Sequence, residues 1–218
     1  SLAGYPFLEP LAAAVVGFLI LHMGIRLAWK SVRELIDTGL PGCVVIEPAV
    51  FGDERGYFYE GWNAARFGAL GLPTAFAQHN VSRSRRGVLR ALHYQWPGNA
   101  QGKLVSVLEG EVYDVAVDIR RGSPTFGRHA AAILSAGNKR HFWIPEGFAH
   151  GFVVLSEEAV FTYLCTAPYD RDSDNSLRWD DPRLAIDWPL AEVSLSGKDA
   201  VAPLLADMPA ERLPLFVA

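Results

Sequence analysis

Two histidines stand out as residues that could move a proton, because imidazole titrates near neutral pH. His93 lies in the apolar stretch GVLRALHYQ, and His150 follows the Pro/Gly turn of IPEGFAHGF. Taken singly, each is more often a hydrogen-bonded structural residue than a catalyst. Arg90 shares the stretch with His93, and Lys103 follows after a short loop. Polar groups placed among apolar ones on barrel strands usually point into a ligand cavity, so this grouping predicts a site inside a β-barrel.

The spacing of Arg90 and His93 raises a geometric question. Residues three apart on a regular strand point to opposite faces of the sheet. Either a β-bulge brings both side chains to the same face, or Arg90 acts across a rim or a subunit boundary.

A metal centre is not expected. The turn before His150 resembles the second motif of metal-binding cupins, whose first motif needs two histidines one residue apart and a carboxylate. Ala91 and Gln95 occupy the positions two residues before and after His93, so three or four clustered ligands are not available. We expect neither a metal ion nor another cofactor.

Short strands would carry these residues. Alternation of apolar and polar side chains is clearest over Glu111–Asp118. Turn signals rich in Gly, Pro and Asn separate this segment from the further strand candidates 88–94, 103–108, 142–144, 152–155 and 160–164. One short helix is predicted over 63–70, and loops with short helices after Pro189. Many short strands at this spacing predict an all-β, cupin-type jelly-roll barrel with a few short helices.

Composition excludes several classes of protein. The 218 residues are 50% hydrophobic and 20% charged, which excludes a disordered or collagen-like chain. The formal net charge is -4, and no basic run extends beyond residues 84–86, so we expect no nucleic-acid partner. Cys43 and Cys165 are too few for a disulfide framework, which favours a reducing, cytoplasmic location.

The first 40 residues differ from the rest. Residues 11–25 are apolar except for His22, which falls short of the roughly 17–20 residues that a spanning helix needs. The segment lacks a basic leader and a small-residue cleavage site, so a signal peptide is not expected. We expect at most weak association with a membrane surface through residues 10–29.

The apolar segment is predicted to continue as an amphipathic helix, with apolar residues at Ile25, Trp29, Val32 and Ile36. A Gly-Leu-Pro-Gly sequence at 39–42 would end it. The expected organisation is therefore an appended helix over 1–40 and one domain over 41–218. Residues 4–40 resemble the last transmembrane helix of a cation diffusion facilitator transporter with the start of its cytosolic domain. The metal-binding helices of that family are missing, so we interpret this segment as a relic.

A second resemblance covers residues 43–207. Residues 51–62 match the pattern F-x-D-x-R-G-x-F-x-E-x-W. Further motifs follow in order, namely QHNVSRS, GVLRALHYQ, QGKLV, DVAVDIR, SPTFG, WIPEGFAHGF, DP with IDWP, and LSGKD. Together they resemble the dTDP-4-dehydrorhamnose 3,5-epimerase family. The resemblance implies a cupin-type barrel that acts on dTDP-4-dehydro-6-deoxyglucose, as a homodimer, in dTDP-rhamnose synthesis.

The resemblance also implies a mechanism. The ketone at carbon 4 of the sugar acidifies the protons on carbons 3 and 5, because the resulting anion spreads onto oxygen as an enolate. Inversion then needs a base, a donor to the enolate oxygen and an acid on the opposite face. By resemblance, His93 is the base, supported by the carboxylate of Asp199. Lys103 faces the enolate oxygen and Tyr163 is the proton donor.

Further residues are assigned to substrate binding by the same resemblance. Tyr169 matches the residue that stacks on thymine. The other matched positions are Gln78, Asn80, Arg90, His150, Asp174 and Lys198, together with Arg55, Phe58 and Glu60, which are expected to arrive from the partner subunit. The chain departs from the family pattern at Ala91, where glycine is usual, at Ser106, where arginine is frequent, and at Asp174, where glutamate is more frequent.

Three alternatives remain open at this point. A single-centre epimerase of a related dTDP-4-ketosugar would keep the same histidine and tyrosine. A sugar-nucleotide-binding cupin without turnover is a rival from another class, although it would not need the base, its carboxylate and the acid. A metal-dependent cupin oxygenase is disfavoured because the first motif lacks its histidine pair.

Overall fold

The computed structural model describes residues 32–217. This part of the chain contains two short helices, α1 (Ala64–Ala69) and α2 (Gly197–Ala200), and 3-10 turns at Leu205–Asp207 and Ala210–Arg212. Its strands are β1 Val32–Asp37, β2 Val44–Pro48, β3 Val50–Asp53, β4 Gly56–Tyr59, β5 Gln78–Arg85, β6 Leu89–Gln95, β7 Lys103–Glu109, β8 Glu111–Asp118, β9 His129–Ser135, β10 His141–Ile144, β11 Phe148–Val154, β12 Glu158–Cys165 and β13 Asp174–Ser176.

Two antiparallel sheets make up the body of the protein. The larger has the strand order β1-β2-β10-β7-β12-β5, and the smaller has the order β13-β6-β11-β8-β9. Strands β3 and β4 form a separate hairpin. The all-β architecture is confirmed and is consistent with the expected cupin-type barrel. Every predicted strand segment coincides with a strand of one of the two sheets, and the predicted helix at 63–70 is α1, which the side chain of Asn63 caps.

The core lies between the inner faces of the two sheets. Phe142 and Phe161 enter it from the larger sheet, and Val112, Ala116 and Phe152 enter it from the smaller one. The rings of Phe152 and Phe161 stack with their centroids 4.0 Å apart. Each side chain of this size contributes roughly 1.5–3 kcal/mol when it is fully buried. This apolar layer holds the sheets in register around the residues discussed below.

The predicted amphipathic helix is wrong where it reaches the described residues. Val32 and Ile36 lie on strand β1, not on a helix. The backbone of β1 forms antiparallel hydrogen bonds with β2. The edge of β2 supplies hydrogen-bond partners for the backbone of β1, and β-branched side chains fit a sheet surface well. The segment read as a helix end is the connection between these strands, in which buried Leu40 accepts a hydrogen bond from Cys43 N–H at 3.0 Å. The rest of the predicted helix, residues 1–31, lies outside the described residues.

The helices of the described part of the chain are short. Among residues 32–217, none of the helices has the length and apolar character that crossing a membrane would require.

Candidate active site

A cleft of about 550 Å³ is lined by residues of both sheets and of the C-terminal segment. It brings together ten of the fourteen site residues predicted from the sequence, namely Gln78, Asn80, Arg90, His93, Lys103, Tyr163, Tyr169, Asp174, Lys198 and Asp199. Strand β6 of the smaller sheet contributes His93, whereas β12 of the larger sheet contributes Tyr163. A molecule in the cleft would therefore meet the imidazole and the phenol from opposite sheets.

His93 is paired with a buried carboxylate. Its Nε2 donates to Oδ1 of Asp199 at 2.6 Å, and Asp199 is only 3% exposed. Helix α2 fixes this carboxylate, because Ser196 caps the helix and accepts a hydrogen bond from Asp199 N–H at 3.1 Å. Burial alone would raise the pKa of Asp199, but the hydrogen bond and charge of His93 outweigh it and the pKa is lowered. With the proton held on Nε2, Nδ1 of this one-third exposed imidazole is left as the basic atom.

Lys103 and Tyr163 are the other groups suited to the chemistry. Lys103 begins β7, is 9% exposed, and donates from Nζ to the carbonyl oxygen of His93 at 3.4 Å. Burial lowers the pKa of Lys103. Burial raises the pKa of the Tyr163 phenol, so this hydroxyl keeps its proton at neutral pH and can act as an acid. The cleft therefore brings together an imidazole, an amine and a phenol.

A β-bulge brings Arg90 and His93 into the same cleft. On the neighbouring strand β11, His150 lies opposite His93 and Phe152 lies opposite Arg90, so two residues of β6 face one residue of β11. The extra residue of the bulge explains how two residues three apart can face the same side of the sheet. Of the two explanations for the spacing of Arg90 and His93, the β-bulge is therefore confirmed. Arg90 is further oriented by donating from Nε to Oγ of Ser84 at 3.2 Å.

Gly151 makes room for this bulge. A Cβ atom at this position would lie 2.5 Å from Cβ of Ala91 and 2.8 Å from the carbonyl oxygen of Arg90. The methyl group of Ala91, at the position where the family usually has glycine, is thus accommodated because the residue facing it has no side chain. The departure at Ala91 leaves the His93 pair intact.

We expect Gly151→Ala to disturb both the fold and the base. The new methyl group forces the backbone of β6 to move, and overpacking of this kind costs about 1–3 kcal/mol. The unfolding midpoint should fall, and the NMR signal of the hydrogen-bonded His93 Nε2 proton should shift or broaden. Gly137→Ala is the matched control, because its Cβ would make only an ordinary contact at 3.5 Å. A variant with an unchanged midpoint and an unchanged His93 signal would contradict the role of Gly151.

Tyr169, Asp174 and Lys198 form a connected group at the cleft. Asp174 Oδ2 accepts from Lys198 Nζ at 2.5 Å and from the Tyr169 hydroxyl at 3.2 Å. The backbone N–H of Tyr169 donates to Gln78 Oε1 at 2.7 Å. The Tyr169 residue is 57% exposed, which leaves an aromatic surface available at the cleft. The shorter carboxylate at position 174 therefore contacts two other predicted ligands.

Four predicted residues are not part of the cleft lining. Arg55 and Phe58 lie on the exposed β3–β4 hairpin, where Arg55 pairs with Asp53. Glu60 accepts from Arg66 Nη1 at 2.6 Å. His150 is buried behind the cleft, with its Nε2 3.0 Å from each carboxylate oxygen of Asp114, a residue that the sequence reasoning missed.

Neutral polar residues in the cleft were also missed. Their side chains gave no signal in the sequence, because amides and hydroxyls carry no charge and are common in loops. Gln95, for example, accepts from Asp170 N–H at 2.9 Å and so helps to place the loop before β13. The lining residues of this kind are Gln95, Gln101, Ser194 and Ser196.

Side chains that could bind a metal ion are scattered in the described part of the chain. Across residues 32–217, His, Cys, Asp and Glu side chains do not gather in any group of three or more that could hold a metal ion.

The two-sheet fold and a cleft that holds an imidazole–carboxylate pair, an amine and a phenol define an all-β protein with groups suited to acid–base proton transfer. A family model described as dTDP-4-dehydrorhamnose 3,5-epimerase matches residues 37–207. The chain belongs to this family. The comparisons do not support the resemblance of residues 4–40 to a cation diffusion facilitator.

Individual relatives agree with the family match. The dTDP-4-dehydrorhamnose 3,5-epimerase of Salmonella typhimurium is 53% identical over 173 residues, which cover 78% of this chain and 94% of the relative. The enzyme of the same name from Pseudomonas aeruginosa is 54% identical over 170 residues, covering 77% and 93%.

Solved structures extend the similarity to the fold. The dTDP-6-deoxy-D-glucose-3,5-epimerase of Legionella pneumophila, crystallised with dTDP-4-keto-L-rhamnose, has a TM-score of 0.83 and 56% identity, covering 85% of this chain and 99% of that chain. A 3'-monoepimerase from Streptomyces bikiniensis, solved with dTDP-quinovose, has a TM-score of 0.73 and 36% identity, covering 80% and 89%.

Proposed function

We propose that this chain inverts carbons 3 and 5 of dTDP-4-dehydro-6-deoxyglucose to give dTDP-4-dehydrorhamnose, in the synthesis of dTDP-rhamnose. The observation that carries the proposal is that the His93–Asp199 pair and Tyr163, which come from different sheets, line one cleft. Identity above 50% to enzymes of that name supports the same substrate and reaction.

Each inversion is a proton transfer through an enolate. In the proposed role, Nδ1 of His93 takes the proton from the carbon next to the ketone, and Asp199 stabilises the imidazolium that forms. Lys103 stabilises the negative charge on the enolate oxygen. Such electrostatic stabilisation is largest in a site that excludes water. Tyr163 then returns a proton from the opposite face. The scheme uses only groups of this chain and substrate.

The nucleotide part of the substrate would use the outer part of the cleft. The exposed ring of Tyr169 offers a stacking surface for thymine. Arg90 and Lys198 are cations suited to the diphosphate, and a guanidinium can donate two hydrogen bonds to phosphate oxygens. The amides of Gln78 and Asn80 line the same region.

We propose a homodimer in which Arg55 and Phe58 of the β3–β4 hairpin, and Glu60 directly after it, complete the partner's cleft. Support comes from the composition of the hairpin: Phe58 is 67% exposed, and within residues 32–217 the guanidinium of Arg55 pairs with Asp53 of the same turn alone. Apolar side chains that are this exposed on a protruding hairpin favour a protein contact. His150 is not among the residues that line the cleft, and its expected contact with the substrate stays a prediction.

Incubation with dTDP-4-dehydro-6-deoxyglucose in heavy water, followed by NMR, tests the proposal. We expect deuterium and inverted configuration at both carbons 3 and 5. Deuterium at neither carbon would refute the proposed enzyme activity.

A single-centre epimerase remains the second candidate. The observation that favours it is the similarity to the Streptomyces bikiniensis 3'-monoepimerase, which shares the fold at 36% identity. In the same heavy-water experiment this alternative predicts inversion at one carbon alone.

We expect removal of residues 1–31 to leave turnover per active site unchanged, because the predicted site residues lie between positions 55 and 199. Removal of residues 1–40 is a different case, because it deletes β1 and the buried Leu40. This larger deletion should lower the unfolding midpoint, since loss of one large buried side chain alone costs about 2–5 kcal/mol. Thermal denaturation and turnover of both truncated forms test this boundary. Loss of turnover in the shorter truncation would show that residues 1–31 shape the site.

A further inference from the structure

The loop that carries Tyr169 is held by the side chains of three glutamines. Each of four consecutive loop residues has one backbone group bound by one of these side chains. The bonds are Gln101 Nε2 to the carbonyl oxygen of Ala167 (2.8 Å), Gln95 Nε2 to that of Pro168 (3.2 Å), Tyr169 N–H to Gln78 Oε1 (2.7 Å) and Asp170 N–H to Gln95 Oε1 (2.9 Å). Gln78 begins β5 of the larger sheet and Gln95 ends β6 of the smaller one, so the loop is fixed to both sheets.

Gln95 is the glutamine that binds the residues on both sides of Tyr169. It is only 6% exposed, and its Nε2 also donates to the carbonyl oxygen of Asn99 at 2.6 Å. Two carbonyl oxygens face the amide nitrogen and one N–H faces the amide oxygen, so a single orientation of the side chain satisfies all three groups. Gln95 therefore joins the loop after β6 to the loop before β13 through one buried amide.

Hydrogen bonds are needed here because packing restrains the ring of Tyr169 only weakly. The residue is 57% exposed. Its hydroxyl donates to Asp174 Oδ2 at 3.2 Å, and Asp174 lies opposite Gln95 in the pairing of β13 with β6. A contact surface that is fixed before its ligand arrives avoids the entropic cost of ordering it during binding.

We infer that Gln95 is a positioning residue for the nucleobase, which holds Tyr169 in the orientation that lets its ring stack on the base. The inference rests on the proposed function, in which Tyr169 stacks on thymine. Among residues 32–217 the Gln95 amide hydrogen-bonds backbone groups of the two loops alone. Gln95 thus governs affinity for the nucleotide through Tyr169, and it does not act on the proton transfers at His93 and Tyr163.

Affinity for dTDP tests the inference without turnover. Gln95→Met keeps the length of the side chain and removes the amide. Loss of a base stacked on an aromatic ring lowers affinity by about 5- to 150-fold. Because the ring is still present in Gln95→Met, we expect a loss of about tenfold by calorimetry, within that range. Unchanged affinity in a folded variant would overturn the inference, whereas failure of the unmodified protein to bind dTDP would instead refute the proposed function.

A double-mutant cycle separates action through Tyr169 from general damage to the cleft. Tyr169→Ala removes the ring, so Gln95 has no ring left to position. Gln95→Met should then cause no further loss of dTDP affinity in the Tyr169→Ala background, because substitutions that act through the same group are not additive. Losses that add fully in the double variant would overturn the inference.

The kinetic constants provide a second readout. Stacking of the base is the same in the ground state and in the transition state, so its loss raises KM and spares kcat. For Gln95→Met we expect KM for the dTDP-sugar to rise by the same factor as the Kd of dTDP. A fall in kcat at saturating substrate with an unchanged KM would show that Gln95 acts on the chemistry and would overturn the inference.

Ser156→Ala is the control for a general loss of buried hydrogen bonds. The Ser156 hydroxyl also joins backbone groups of two segments, because its Oγ accepts from Glu111 N–H at 2.8 Å and donates to the carbonyl oxygen of Glu158 at 2.6 Å. Ser156 is not among the residues that line the cleft. Ser156→Ala should lower the unfolding midpoint and leave dTDP affinity in place. An equal loss of dTDP affinity in this control would overturn the specific role of Gln95.

If Gln95→Met fails to fold, the unmodified protein decides. The sequence contains three glutamines, so ¹⁵N labelling of glutamine gives three side-chain amide signals, which their contacts to neighbouring protons assign. The Gln95 amide protons should be protected from exchange with water before dTDP is added, because both loops hold them. Rapid exchange of these protons would show that the Tyr169 loop is not held by Gln95 and would overturn the inference.

Discussion

Replacement of His93 by alanine should abolish both proton exchange and inversion at carbons 3 and 5. One imidazole serves as the base for both carbons in the proposed mechanism, and general-base catalysis is worth about 10²–10⁴-fold in rate. We expect a loss of that size in heavy-water exchange followed by NMR. The fold should persist, because the side chain of His93 is partly exposed and, among the described residues 32–217, hydrogen-bonds to Asp199 alone.

A matched histidine provides the control for this prediction. His129 is also partly buried on a strand, where its Nδ1 lies 3.0 Å from the carbonyl oxygen of Leu184, but it is not among the residues that line the cleft. His129→Ala should retain exchange and inversion. Near-normal exchange in His93→Ala would show that another group is the base.

Removal of the Tyr163 hydroxyl should separate exchange from inversion. Tyr163→Phe keeps the ring and its packing near Phe161, so the base at His93 still removes a proton from carbon 5. Without the acid on the opposite face, the proton returns from the side that it left. Deuterium should therefore enter carbon 5 while product formation falls by about 10²–10⁴-fold.

Tyr113→Phe is the control for the second prediction. Tyr113 is half-buried against Trp188, outside the cleft lining, and burial raises the pKa of its phenol as it does for Tyr163. Turnover should be unchanged in this variant. Full inversion by Tyr163→Phe would exclude this tyrosine as the proton donor.

Six of the thirteen strands could be predicted from the sequence, because turn residues bound short apolar or alternating segments at these positions. The error at Val32 and Ile36 has a simple cause. Residues four apart lie on the same face of a helix and also on the same face of a strand. Two such positions cannot separate the alternatives, and the pairing of β1 with β2 decides the outcome. Local periodicity carries no information about an edge that lies nearby in space.

The site could be predicted only in part from residue chemistry. The sequence indicated a site because polar residues interrupt apolar stretches at Arg90, His93 and Lys103. The spacing of Arg90 and His93 left two explanations, of which a β-bulge was one. His93 and Asp199 are 106 positions apart in the sequence, so their spacing could not predict that they interact. The prediction of this pair came from the resemblance to the family. Asp114 was missed because a charged residue inside an alternating strand looks like one of its solvent-facing positions. Its inward direction depends on the packing of both sheets.

The long separation between His93 and Asp199 also bears on the order in which the protein becomes functional during its synthesis. A chain leaves the ribosome from its N-terminus, so both sheets can be complete before helix α2 emerges. Until residue 199 is free to dock, His93 has no carboxylate partner and the cleft lacks the wall that residues 194–199 provide. A nascent chain would therefore have most of its sheet structure and still lack catalytic activity. The same holds for a chain that a premature stop codon shortens before residue 199.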